Sequence, residues 1–141
     1  MSNQKYLSQA RIDFIDVDKI VNELLEYKDC KLLDFGCGPG LFISKLQEQG
    51  FSKLHGFDID KDAIDYCVEK FKEFQFYDVF PNETIFDIIL MVNVYHKLEN
   101  RQEYFKSLAN NLVDNGELVI VDFYKKDAPI GPPTAIKLNP E

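Results

Sequence analysis

Apolar positions along this chain alternate between runs spaced for a helix and short continuous stretches suited to buried strands. Residues 17–28 place Val17, Ile20, Val21, Leu24 and Leu25 at helical spacing, with Asp16 or Asp18 available as a cap. Residues 31–35, Lys-Leu-Leu-Asp-Phe, form an apolar run closed by glycines and predict a buried strand. Residues 41–49 predict a helix that stops at Gly50, a good terminator. A second strand follows over 52–58, then a helix capped by Asp60 that runs to Phe71 and buries Ile64, Cys67, Val68 and Phe71. Residues 74–77 predict a third strand. The most apolar stretch, 86–94, suits a central strand covered on both faces. Residues 100–113 predict an amphipathic helix burying Phe105, Leu108, Ala109 and Leu112, and the turn Asp114-Asn115-Gly116 feeds a fifth strand over 117–123.

Strands alternating with helices imply an α/β, Rossmann-like doubly wound sheet, mostly parallel. At 141 residues the chain is expected to form one domain. Residues 1–124 hold all the predicted elements. The tail, 125–141, carries four of the six prolines and has no clear periodicity, so it is read as a loop over the site or a disordered end of the same domain, with the loop preferred.

Composition narrows the function classes. No apolar run approaches the roughly 20 residues of a membrane span, and the polar start lacks the order of a signal peptide, so a cytoplasmic address is expected. Three cysteines without close pairing or zinc spacing argue against a structural metal, and Cys30 and Cys67 read as small core hydrophobes. A formal charge of −8, with Lys and Arg scattered, argues against a grip on nucleic acid. A small-molecule or protein substrate is favoured.

The chemistry concentrates at the junction after the first strand, Asp34-Phe35-Gly36-Cys37-Gly38-Pro39-Gly40. Gly36 and Gly38 remove side chains where backbone must approach a ligand, and Gly40 opens the next helix. Asp58, at the end of the second strand, lies 22 residues past Gly36, close to the roughly 20 expected of an acid that binds ribose hydroxyls. Ordinary turns and caps would also use these residues, and Asp60 is the better helix cap of the two acids. A nicotinamide fingerprint wants glycine or alanine at the sixth position, where Leu41 stands. Asp34 would repel a pyrophosphate, yet it suits a ligand carrying an ammonium. S-adenosylmethionine has no phosphate and carries both an ammonium and a sulfonium.

The motifs in this order resemble class I methyltransferases dependent on S-adenosylmethionine, especially the type-11 group related to ubiquinone and menaquinone methyltransferases. Residues 33–40 are similar to that family's first motif, and Gly56-Phe57-Asp58-Ile59 to its ribose-binding acid and following apolar residue. Tyr77-Asp78-Val79 resembles the adenine-edge motif, residues 86–90 the fourth-strand motif, and residues 112–118 the turn into the fifth strand. Ile130-Gly131-Pro132-Pro133 is similar to a segment after that strand in some members. The resemblance covers roughly residues 31–123. It implies that Gly36 and Gly38 line the methionine end, that Ile59 packs on adenine, and that Asp78 takes the adenine amine while the Val79 backbone meets the ring. It also places Asn93 near the transferred methyl or the amino-acid end of the cofactor, or else satisfying strand-end backbone groups.

His96 follows the fourth strand, where the resemblance puts the acceptor against the sulfonium. It reads either as a general base or as an anchor for its loop. His55, inside a strand, reads as structural. The expected function is methyl transfer from S-adenosylmethionine to a small acceptor, with no metal. A non-catalytic binding module or partner-dependent subunit is the alternative, and a nicotinamide oxidoreductase a weaker one. The family's last two strands are expected to be missing. That would leave the fifth strand as an open edge, where a second copy could pair or the tail could lie.

Overall fold

The computed structural model describes residues 17–92, 101–122 and 134–138. In chain order these form α1 (Val17–Glu23), a 3-10 turn (Leu25–Tyr27), β1 (Leu32–Phe35), α2 (Leu41–Glu48), β2 (Leu54–Phe57) and α3 (Lys61–Lys70). β3 (Gln75–Tyr77), β4 (Phe86–Val92), α4 (Arg101–Ala109), β5 (Leu112–Asp122) and β6 (Thr134–Leu138) follow. No helix among the described residues is long and apolar enough to cross a membrane.

The strands make one sheet in the order β3-β2-β1-β4-β5-β6. Neighbours from β3 through β5 run parallel, and β6 returns antiparallel to β5. Side chains alternate across the strands with a period of two, so each face acquires its own core. Leu32, Leu54, Ile88, Leu90 and Val92 pack with the buried residues of α1, α2 and α3. Leu33, Phe35, Phe57, Phe86, Ile89, Met91, Leu118 and Ile120 pack on the other face with Leu108 of α4. Burial on both faces is what makes 86–92 almost wholly apolar, and it matches the expected doubly wound architecture.

Local signals placed several element ends well. Asp60 caps α3, its Oδ1 accepting from the amides of Asp62 (3.0 Å) and Ala63 (3.3 Å). Gly50 closes α2 with a φ of +99°. Where non-local pairing competes with local pattern, the observed elements differ from expectation. The first helix stops at Glu23 and tightens into the 3-10 turn. Val68 is 50% exposed rather than buried, because the buried stripe of α3 is carried by Ala63, Ile64 and Cys67.

The fourth helix ends at Ala109, and Leu112 begins β5 opposite Phe86. An advance of two residues on β4, from Phe86 to Ile88, matches five on β5, from Leu112 to Glu117. The predicted turn Asp114-Asn115-Gly116 is therefore a bulge inside a longer strand, which strand pairing on both sides of it permits. Gly116 lies close in this bulge, where an added Cβ would stand 3.0 Å from Leu112 Cβ and 3.1 Å from the Asp87 carbonyl oxygen.

The tail also departs from the expected loop. Residues Thr134–Leu138 pair with β5 from Leu118 to Asp122. Among the described residues the sheet thus has six strands rather than five, and one antiparallel strand beyond the fifth is present. That segment of the β5 edge is occupied by the chain itself, not left open for a second copy. Strand pairing satisfies backbone groups that a bare edge would expose, which outweighs the proline-rich composition around it.

Candidate functional site

The carboxyl ends of β1, β2 and β3 lie side by side, and the loop after each contributes to one surface. After Phe35 the backbone turns through Gly36 and Gly38, with φ of +88° and +54°, a left-handed region that side chains with a Cβ rarely enter. Two amides stitch this loop to β2: Gly36 and Cys37 both donate to the Phe57 carbonyl, at 2.7 and 2.9 Å. Gly40, with φ of +96°, starts α2, and a Cβ there would come within 2.6 Å of the Phe71 ring. Its lack of a side chain lets α2 begin directly against the end of α3. No acidic residue occupies the first turn of α2 and no side chain caps it, so its amino-terminal amides have no carboxylate from the helix itself.

Asp58 joins the loop to α3. Its Oδ2 accepts from the Gly38 amide at 2.8 Å and its Oδ1 from the Asp60 amide at 2.9 Å. Each carboxylate oxygen can accept more than one hydrogen bond, so both retain capacity for ligand hydroxyls. The glycine loop and the downstream acid, linked in sequence only by spacing, are thus in direct contact. Beside them stand Ile59 and Val79, which are 84% and 74% exposed. Both are large apolar side chains left exposed just beyond the ends of adjacent strands. Asp78 is held next to this pair by Lys61, whose ammonium lies 3.8 Å from its carboxylate and 3.6 Å from that of Asp65.

Asp34, in contrast, is buried at 3% exposure on β1, between Gly56 of β2 and Leu90 of β4. Below the loop, the thiols of Cys37 and Cys67 both donate to the Gly38 carbonyl, at 3.5 and 3.3 Å. The adjacent Cys67 thiol, then burial and the nearby charges of Asp34 and Asp58, push the Cys37 thiol far up. A buried thiol held neutral in this way is not a nucleophile, and the two cysteines brace the loop from inside. Cys67 was legible as a core residue, but its bond to the loop was not. Lys61 was likewise not distinguishable from any surface lysine in a first helical turn.

His55 is structural, as expected. Its Nδ1 lies 3.0 Å from the Tyr77 hydroxyl, its ring stacks on Tyr77, and burial followed by the Lys31 charge lowers its pKa to about 4. Asn93 and His96 lie outside the described residues. The geometry therefore brings together Gly36, Gly38, Asp58, Ile59, Asp78 and Val79, with Asp34 buried in the strand beneath them. Among the described residues no group of His, Cys, Asp and Glu could hold a metal ion.

Solved structures share this fold. A putative type 11 methyltransferase from Sulfolobus solfataricus superposes with a TM-score of 0.67 at 29% identity, covering 82% of this chain and 69% of its own. An S-adenosylmethionine-dependent methyltransferase from Aquifex aeolicus has the same fold, with a TM-score of 0.74 at 21% identity over 94% of this chain and 79% of its own. The ubiquinone biosynthesis O-methyltransferase of Rickettsia bellii is 25% identical over 122 residues, which cover 81% of this chain and 50% of that protein. The chain spans about half the length of the curated relatives it matches. The family model described as a methyltransferase domain matches residues 7–134, and the chain belongs to that methyltransferase family.

Proposed function

We propose that this chain binds S-adenosylmethionine over the carboxyl ends of β1, β2 and β3 and directs its methyl group to a small-molecule acceptor. The observation that carries this reading is the 2.8 Å hydrogen bond between the Gly38 amide and Asp58. It sets a bare backbone turn beside a carboxylate, the two surfaces that one nucleoside with an amino-acid tail would bridge. The donor set suits the cofactor. Asp58 would accept from the ribose hydroxyls, Ile59 and Val79 would flank the adenine, and Asp78 would take its amine. Gly36 and Gly38 would line the methionine end, where the uncapped start of α2 favours a carboxylate and Asp34 supplies negative charge toward the ammonium. Asn93 is assigned to the methyl or amino-acid end.

S-adenosylmethionine, when bound, supplies a methyl group already activated by its sulfonium. The protein's work is then to orient and to exclude water, and orientation alone can lower such a barrier by up to ~7–11 kcal/mol. An oxygen acceptor is favoured, because the curated relative from Rickettsia bellii is named as an O-methyltransferase. His96 is assigned to take the proton of that hydroxyl.

A non-catalytic module or partner-dependent subunit is the second reading. Titration calorimetry with S-adenosylmethionine, followed by a methyl-release assay on a panel of hydroxyl compounds, separates the two. Binding with turnover supports the enzyme, binding without turnover the module. Absence of binding overturns both.

A further inference from the structure

The segment joining β3 to β4, residues 78–85, begins with Asp78 and Val79; its Phe80 ring packs on Phe35 and Phe57, with centroids 5.8 and 5.6 Å away, and its residues 81–84 are fixed by one buried amide. Asn111, 3% exposed, sits between α4 and β5. Its Nδ2 donates to the carbonyls of Asn82 at 2.8 Å and Thr84 at 2.9 Å, with a longer approach to the Pro81 carbonyl at 3.4 Å. Its own backbone carbonyl accepts from the Phe86 amide at 2.8 Å. A carboxamide nitrogen carries two hydrogens, so the two short bonds use both. The connection adds turns of its own, from the Asn82 amide to the Phe80 carbonyl (2.9 Å) and from the Thr84 amide to the Pro81 carbonyl (3.1 Å).

Both ends of this connection run into strands of the sheet, its first half is seated by the Phe80 ring on Phe35 and Phe57, and its second half, residues 81–84, hangs from the Asn111 side chain. Asparagine does this on a short stem. An aspartate of the same shape would face three carbonyl oxygens with no hydrogen to give. We propose that Asn111 is a positioning residue for nucleobase recognition, setting the height of the connection that presents Asp78 and Val79 to the base. This rests on the reading of Asp78 and Val79 given above. Asn111 touches no ligand and acts through the backbone of residues 81–84.

The test is a double-mutant cycle on affinity for S-adenosylhomocysteine and for S-inosylhomocysteine, in which the base amine becomes a carbonyl. Asn111→Ala should weaken S-adenosylhomocysteine binding by roughly tenfold and shrink the preference for it over the inosyl compound. In an Asp78→Ala background the same change should cost less than about twofold. Wild-type affinity in Asn111→Ala, or an equal loss for both ligands in both backgrounds, overturns the proposal while leaving the cofactor reading intact. Failure of the wild-type protein to bind S-adenosylhomocysteine overturns that reading instead. Should Asn111→Ala not fold, hydrogen exchange on the wild-type protein replaces it. Peptides covering 78–84 and 110–113 should slow together on adding S-adenosylhomocysteine, and slowing of the first alone overturns the proposal.

Discussion

The amide of Gly38 directs its hydrogen at Oδ2 of Asp58 across 2.8 Å, and the other carboxylate oxygen holds the amide of Asp60 at 2.9 Å. One side chain thereby fixes the glycine loop after β1 and the start of α3 at once. Replacing it disturbs the loop's geometry together with the proposed ribose contact. Asp58→Ala is expected to weaken S-adenosylmethionine binding by about 1.5–3 kcal/mol, measured by calorimetry on a folded variant. An unchanged dissociation constant would remove Asp58 from the site.

Ile59 and Val79 are large, apolar and exposed, so the folded chain gains little from them. Changing either to serine should leave the melting temperature within about 2 °C, since exposed positions away from special features change stability by no more than about 0.5 kcal/mol. The same changes should lower cofactor affinity by about fivefold, roughly 1 kcal/mol of lost apolar contact. A paired thermal melt and binding titration checks this. Loss of stability without loss of affinity would assign both residues to the fold alone.

Gly40 combines a φ of +96° with the Phe71 ring 2.6 Å from where a Cβ would stand. Gly40→Ala is expected to destabilise the protein by roughly 2–4 kcal/mol, from left-handed strain plus overpacking. Urea denaturation reads this directly, and a cost below about 0.5 kcal/mol would show that the loop relaxes freely.

His55 gives the protein an acid-sensitive term. Its folded-state pKa of about 4 lies below the ordinary histidine value of about 6.5, so the unfolded chain binds the extra proton first. Its contribution to stability is present in full above about pH 6.5 and is lost as pH falls toward and through about 4. Thermal melts between pH 7 and pH 4 should show this decline, and His55→Phe should flatten it. Identical slopes in the two proteins would mean that other groups set the acid limb.

His96→Ala is expected to spare cofactor binding and to slow transfer to a hydroxyl acceptor by about 10²–10⁴-fold. Full activity in that variant would leave the acceptor's proton to water.

The parts of this fold legible in the sequence are those specified locally. Asp60 and Gly50 end their helices by bonds and backbone angles that involve only near neighbours, and the both-faces burial of 86–92 is written in its composition. The glycine loop and Asp58 could be paired by spacing alone, because consecutive parallel strands place their carboxyl ends together. What could not be read depended on distant partners. Leu112 continues the helical spacing set by Leu108, yet it pairs with Phe86 in the sheet. Thr134–Leu138 becomes a strand because β5 is there to receive it. Asn111 looks like any polar residue after a helix until the carbonyls of Asn82 and Thr84 are brought beneath its amide.

The strand order has one further consequence. β1, β2 and β3 occupy one half of the sheet and carry every described residue assigned to the cofactor, while β4, β5 and β6 fill the other. On that assignment the constant reagent is held mainly by one half of the sheet, with Asn93 after β4 as its reach into the other. Positions beyond β4 other than Asn93 could then be exchanged to suit a new acceptor with little disturbance to the grip on the methyl donor, which makes the division a route for diversification rather than only a way of packing.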